Sequence, residues 1–168
     1  MKKLVALLCG TMFSAIIFCQ QNDVDFKFGN VTAKDFDISD SKIVTANDDA
    51  VVLYESGLTH FVGNKWNWFS YVYTCTRRIK ILNKKAFDLT KIQITSYSDD
   101  KDEGLTDLKA TTYNLNNGVV TASSVDKSNI FIEKENKYFS LEKFAMPDVQ
   151  EGSIIEYTFT ITSSNIFD

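Results

Sequence analysis

Along most of the chain, from Ala50 to the C-terminal end, apolar and polar residues alternate with a period of two, the signature of strands with one face on a core. Val51–Tyr54 predicts a short strand that stops at Glu55-Ser56-Gly57, and Leu58–Val62 resumes it as a hairpin. Gly63-Asn64-Lys65 turns the chain again. Trp66–Leu82 is the longest extended candidate. Its odd positions run Phe69, Tyr71, Tyr73, Cys75, Arg77, Ile79 and Ile81, and its even positions include Ser70, Thr74, Thr76, Arg78 and Lys80. That predicts one apolar, aromatic face and one polar face.

Asn83-Lys84-Lys85 breaks the run, and Leu89–Ser98 predicts the next strand. Leu105–Leu115 and Val119–Val125 flank Asn116-Asn117-Gly118. Asn-Gly between extended runs predicts a tight hairpin, because a type I′ turn needs positive φ at both central residues. Ile130–Glu133 and Tyr138–Ala145 pair around Glu135-Asn136-Lys137. Gly152 then opens a strand with Ile155, Tyr157, Phe159 and Ile161 on one face and Glu156, Thr158 and Thr160 on the other. The result is about nine strands and no long amphipathic helix, which predicts an all-β antiparallel sandwich or open barrel.

The N-terminal part is patterned differently. Lys2 and Lys3 precede an apolar run, Leu4–Phe18, of signal-peptide length and too short for a membrane span. Residues 1–19 therefore read as a secretory signal cleaved after Cys19. Lipidation of Cys19, disfavoured by the bulky Phe18 before it, and an uncleaved anchor are the alternatives. Residues 20–49 read as a lead-in, with a capping-box pattern at Thr32-Ala33-Lys34-Asp35 that predicts a short helix over 33–37. Residues 50–168 form the β domain. No transmembrane helix is expected once the signal is removed, and the location expected is the periplasm or cell envelope, or secretion.

Composition narrows the function classes. Eighteen Lys and Arg against 22 Asp and Glu give a net charge of −4, which becomes −6 when Lys2 and Lys3 leave with the signal. Such a surface does not suit nucleic acid. Cys9 and Cys19 also leave, so Cys75 stands alone and no internal disulfide is expected.

Catalytic, cofactor and metal sites are not expected. The single histidine, His60, has no second ligand at metal spacing. Cys75 lies on the apolar face of its strand and reads as a buried structural thiol rather than a nucleophile. The acidic run Asp99–Gly104 carries Lys101 where a calcium loop needs an oxygen ligand, and reads as a solvated turn. Asn30-Val31-Thr32 matches a glycosylation sequon. Trp66 and Trp68 share a face if their segment is extended. They form a sugar or peptide platform if exposed, and part of a sandwich core if buried.

Six segments occur in an order that resembles the domain of unknown function 3857. They are Phe28-Gly29-Asn30-Val31-Thr32, Ala50-Val51-Val52-Leu53-Tyr54-Glu55, Arg78-Ile79-Lys80-Ile81-Leu82, Lys109-Ala110-Thr111-Thr112-Tyr113-Asn114, Phe144-Ala145-Met146-Pro147-Asp148-Val149 and Gly152-Ser153-Ile154-Ile155-Glu156-Tyr157. The resemblance implies an all-β domain that precedes a transglutaminase-like domain in exported bacterial proteins. It implies a non-catalytic accessory role in positioning or recognising a peptide-like or cell-wall substrate, with the catalytic residues downstream of Asp168. It also implies a β domain that continues past this point. An independent carbohydrate- or peptide-binding module of the envelope is the alternative.

Overall fold

The computed structural model describes residues 26–65, 68–97 and 104–164. The signal segment, Trp66 and most of the acidic run Asp99–Gly104 lie outside the described residues. Among the described residues eight strands form two antiparallel sheets: β1 (Ala50–Asn64), β2 (Trp68–Ile81), β3 (Lys91–Tyr97), β4 (Gly104–Asn116), β5 (Val119–Ser124), β6 (Phe131–Lys134), β7 (Phe139–Ala145) and β8 (Ile154–Ser163). One sheet has the order β1-β2-β8-β4-β5 and the other β3-β7-β6. The protein is an all-β open sandwich, not a closed barrel. Among the described residues no helix is long and apolar enough to cross a membrane.

Eight strands replace the expected nine because Val51–Tyr54 and Leu58–Val62 are one continuous strand, paired throughout with β2. Glu55-Ser56-Gly57 is not a turn. Gly57 stands opposite Cys75, and a Cβ there would come within 3.0 Å of the Tyr73 ring. The glycine makes room for an aromatic ring; it does not bend the chain. Lys84–Thr90, in which Leu89 begins the expected strand, is a 3₁₀ turn capped by Asn83, whose side chain accepts from the Lys85 amide at 2.9 Å. The Asn-Gly hairpin forms as expected, with φ of 51° at Asn117 and 80° at Gly118.

The core lies between the sheets at one end of the sandwich. Ile79, Ile81, Ile155 and Ala110 from the larger sheet meet Ile92, Ile94, Phe144 and Met146 from the smaller side. Tyr157 and Phe159 extend this core along β8.

The outer face of the larger sheet departs most from expectation. Arg78 and Lys80 are buried there, and Glu156 has no exposed surface. Tyr54, Arg78, Glu156 and Thr111 form one row across four strands. Glu156 accepts from Arg78 Nη2 at 2.7 Å, Arg78 Nε at 3.1 Å, the Tyr113 hydroxyl at 3.1 Å and the Gly29 amide at 2.9 Å. Arg78 Nη2 also donates to the carbonyls of Lys27 and Asn30 at 3.4 and 3.3 Å. Phe26 lies over the guanidinium at 4.4 Å and stacks on Tyr54. Burial, then the charge of Glu156, pushes the Tyr113 phenol up to about 12.

Residues 26–37 are thus a cover for the sheet rather than a free lead-in. The expected short helix is the 3₁₀ turn Ala33–Phe36, in which Asp35 accepts from the Thr32 amide at 2.6 Å and the Thr32 hydroxyl at 2.8 Å. Its Phe36 ring lies 5.0 Å from Lys80 Nζ, and burial holds the Lys80 ammonium below its ordinary pKa. Alternation alone predicts a wet face; a covering segment makes it dry.

Removing one member of a buried, hydrogen-bonded pair strands the other charge and costs about 3–5 kcal/mol. We expect Glu156→Gln and Arg78→Met each to lose about that much in urea unfolding. The double replacement Arg78→Met with Glu156→Met should recover a good part of it. Single variants within about 1 kcal/mol of the parent would show that the pair does not carry this face.

Candidate functional site

The sandwich closes tightly at its Ile81 end and opens at the other, because a three-stranded sheet cannot cover a five-stranded one. Three features line the uncovered parts.

The first is an aromatic end. Among the described residues β8 pairs with β2 from Tyr71 to Lys80, and the β1–β2 hairpin carries its own pairing further, to Asn64 and Trp68. The tip of that hairpin carries Trp68, 88% exposed, together with exposed Phe61 and Phe69. Phe61 and Phe69 meet edge to face at 5.6 Å. Trp68 has a φ of 72°, a left-handed conformation that is strained for a bulky side chain. On the smaller sheet, Tyr97 stacks on Tyr138 and meets Phe139 edge-on. A recess of ≈ 180 Å³ between the sheets is lined by Tyr71, Tyr97, Phe139, Ile161 and Ser163. Of the two expected platform residues, Trp68 is exposed and Trp66 falls outside the described residues.

The second feature is a cleft between β2 and the edge strand β3, lined by Tyr73, Cys75, Arg77, Ile94 and Tyr157. Cys75 faces the core side as its parity predicts, but it is only partly buried. The narrow second sheet leaves that stretch of β2 open. A hydrogen bond with Cys75, then burial, raises the Tyr73 phenol. Arg77 Nη2 donates to Glu55 Oε1 at 2.5 Å, and this bond raises the guanidinium pKa further. His60 is exposed and pairs with Val72, three residues before Cys75 on β2. The pleat therefore puts His60 and Cys75 on opposite faces of the sheet, so no Cys–His couple can form. Among the described residues no group of acidic, His and Cys side chains could hold a metal ion.

The third feature was not singled out by sequence reasoning. Glu142 of β7 lies on the inner face of the smaller sheet, opposite Ile94 on one side and Ile132 on the other. It is only 7% exposed. Ser96 donates its hydroxyl to the two carboxylate oxygens at 3.1 and 3.3 Å, and no described cation pairs with it. Burial raises its pKa. The carboxylate lines a cavity of ≈ 510 Å³ whose opposite wall is the β4 bulge. There the register with β8 slips between Thr106 and Lys109, and Asp107 takes a φ of 53°. The available signal was parity: Glu142 keeps step with Phe144 and Met146 on an otherwise apolar phase.

Two outcomes follow from this geometry. Trp68→Gly relieves the positive φ and should raise stability by about 1 kcal/mol; a loss of that size would show that the indole packs. Glu142 has a folded pKa above its unfolded value, so its stability contribution is full at pH below that unfolded value and declines as pH rises through the folded one. Glu142→Gln should therefore gain on the parent between pH 4 and pH 7 in paired urea titrations. A gap independent of pH contradicts the burial account.

No family model and no curated protein matches the chain. Among solved structures, the chain is similar to a protein from Parabacteroides distasonis ATCC 8503 described as a putative protease, with a TM-score of 0.46 and 10% identity. The match covers 56% of this chain and 20% of that one. At that level the likeness carries no argument about what this chain does.

Proposed function

We propose that this chain is a non-catalytic accessory β domain of an exported, transglutaminase-like bacterial protein. Its role is to hold a peptide-like or cell-wall substrate against the aromatic end of the sandwich. The observation that carries the reading is Trp68: a nearly fully exposed indole, kept in a strained backbone conformation at the end of a hairpin whose tip also carries exposed Phe61 and Phe69. Exposed large apolar groups that cluster in this way mark contact surfaces. Flat rings bury area at low entropic cost, which suits sugars and extended peptides alike. The order of the six segments from Phe28 to Tyr157 supports the placement beside a transglutaminase-like domain. The separation of His60 from Cys75 supports a role without its own chemistry.

Isolated bacterial cell-wall sacculi provide the test. The full chain should sediment with them, and Trp68→Ala should weaken retention at least about tenfold, the loss of about 1.4 kcal/mol expected for one stacking ring. Amidase treatment, which strips the stem peptides from the glycan, should weaken retention if the peptide is the recognised part. Equal retention of parent and Trp68→Ala contradicts the assignment of the aromatic end.

A further inference from the structure

The Glu142 cavity has the makings of a second, smaller site. Its volume falls within the usual range for small-ligand pockets, which are apolar with a few convergent polar groups. Leu105, Leu108, Ile130 and Ile132 supply the apolar walls. Ile132 is 72% exposed although it stands on the inner face beside Glu142, so the space next to the carboxylate is not filled by the protein's own core. Lys109 and Lys127 also line the cavity, and both are exposed. One wall thus carries a nearly buried carboxylate whose described partner is a single hydroxyl, and the solvent side carries the Lys127 side chain.

A ligand that satisfies this arrangement carries its charges in the opposite order. It needs a cation at one end to meet Glu142, an aliphatic middle to lie among the leucines and isoleucines, and an anion at the other end to meet Lys127. A carboxylate held in apolar surroundings with one hydroxyl partner gains most from a charged donor. The bulge that opens the cavity on β4 is also the kind of irregularity that re-aims side chains next to ligand sites.

We propose that this cavity binds a zwitterionic, aliphatic amino compound, namely the ammonium-bearing side chain of a diamino acid together with its own carboxylate. The ammonium donates to Glu142, the methylenes pack against Leu105 and Ile132, and the carboxylate accepts from Lys127. This deepens the peptide-substrate reading: the cavity selects a basic residue, and the aromatic end supplies less specific area.

Nα-acetyl-lysine and Nα-acetyl-norleucine separate the parts of this recognition. They share an aliphatic side chain and a free carboxylate, and only the first carries an ammonium. Calorimetric titration of the full chain should show saturable binding of Nα-acetyl-lysine, with Nα-acetyl-norleucine at least about tenfold weaker. Glu142→Gln, folded by circular dichroism, should lose the same factor for the lysine compound and nothing for the norleucine one. Lys127→Ala, a surface change, should weaken Nα-acetyl-lysine several-fold but leave its N-methylamide, which lacks the carboxylate, unaffected. Equal binding of the two probes, an unchanged Glu142→Gln variant, or no saturation by about 10 mM overturns the proposal. If the last occurs while sacculi are still retained through Trp68, the cavity assignment falls and the wall-binding reading stands. Binding of Nα-acetyl-lysine without retention on sacculi sustains the cavity and removes that reading instead.

Discussion

Arg78 and Glu156 face each other across β2 and β8 with almost no access to water, and the organisation of one whole side of the molecule depends on that pairing. Neither charge tolerates a dry sheet face alone. The carboxylate is held by a guanidinium, a phenol and a backbone amide, and the guanidinium by that carboxylate and two backbone carbonyls. Three of those backbone groups belong to residues 27–30, so the charges can be buried only if the N-terminal segment lies across the sheet. The segment in turn brings Phe26 over Arg78 and Phe36 beside Lys80. Ion pairs of this kind add little net stability compared with an apolar replacement, but they penalise every arrangement in which one partner is left alone. Their effect here is to fix the position of the segment.

With the Arg78 end of its outer face covered by this segment, the five-stranded sheet has its inner face left for the second sheet. Three strands cover only part of it. Around Ile81, Ile155 and Phe144 the cover is complete and apolar. Towards Tyr71 and Ile161 it thins, and there the partly buried thiol, the paired Arg77 and the aromatic end occur together. The Glu142 cavity lies between the β4 bulge on one side and Ile132 and Glu142 of β6 and β7 on the other. The mismatch in width between the sheets thus produces both the aromatic surface and the cavity.

Much of this was legible in the sequence, and the reasons differ by element. The Asn117-Gly118 hairpin is written in two residues that adopt positive φ readily. The inner face of β8 follows from Ile155, Tyr157 and Phe159 at spacing two, and the Thr32–Asp35 box is a local hydrogen-bond pattern. Gly57 misleads because a glycine that makes room for Tyr73 looks the same as one that turns the chain. Arg78, Lys80 and Glu156 mislead because alternation reports polarity, not solvent. A charge paired with a residue 78 positions away leaves no local trace. Parity puts Glu142 on the inner face, but its partner Ser96 lies on another strand and leaves no local trace. The platform was half legible: spacing placed Trp68 on a strand, but its exposure is a property of the folded sheet that alternation does not report.

The central claim is that Glu156 holds the N-terminal segment on the sheet, and the Gly29 amide reports it directly. Gly29 has no helix or strand partner; its amide hydrogen is bonded to Glu156 Oε2 at 2.9 Å. Native-state hydrogen exchange, resolved at single amides, should find Gly29 strongly protected in the parent protein. In Glu156→Gln, the amides of residues 27–36 should exchange much faster together, while those of β2 and β8 around Ile79 and Ile155 stay protected. A Gly29 amide that exchanges at the rate of open chain in the parent would contradict the account.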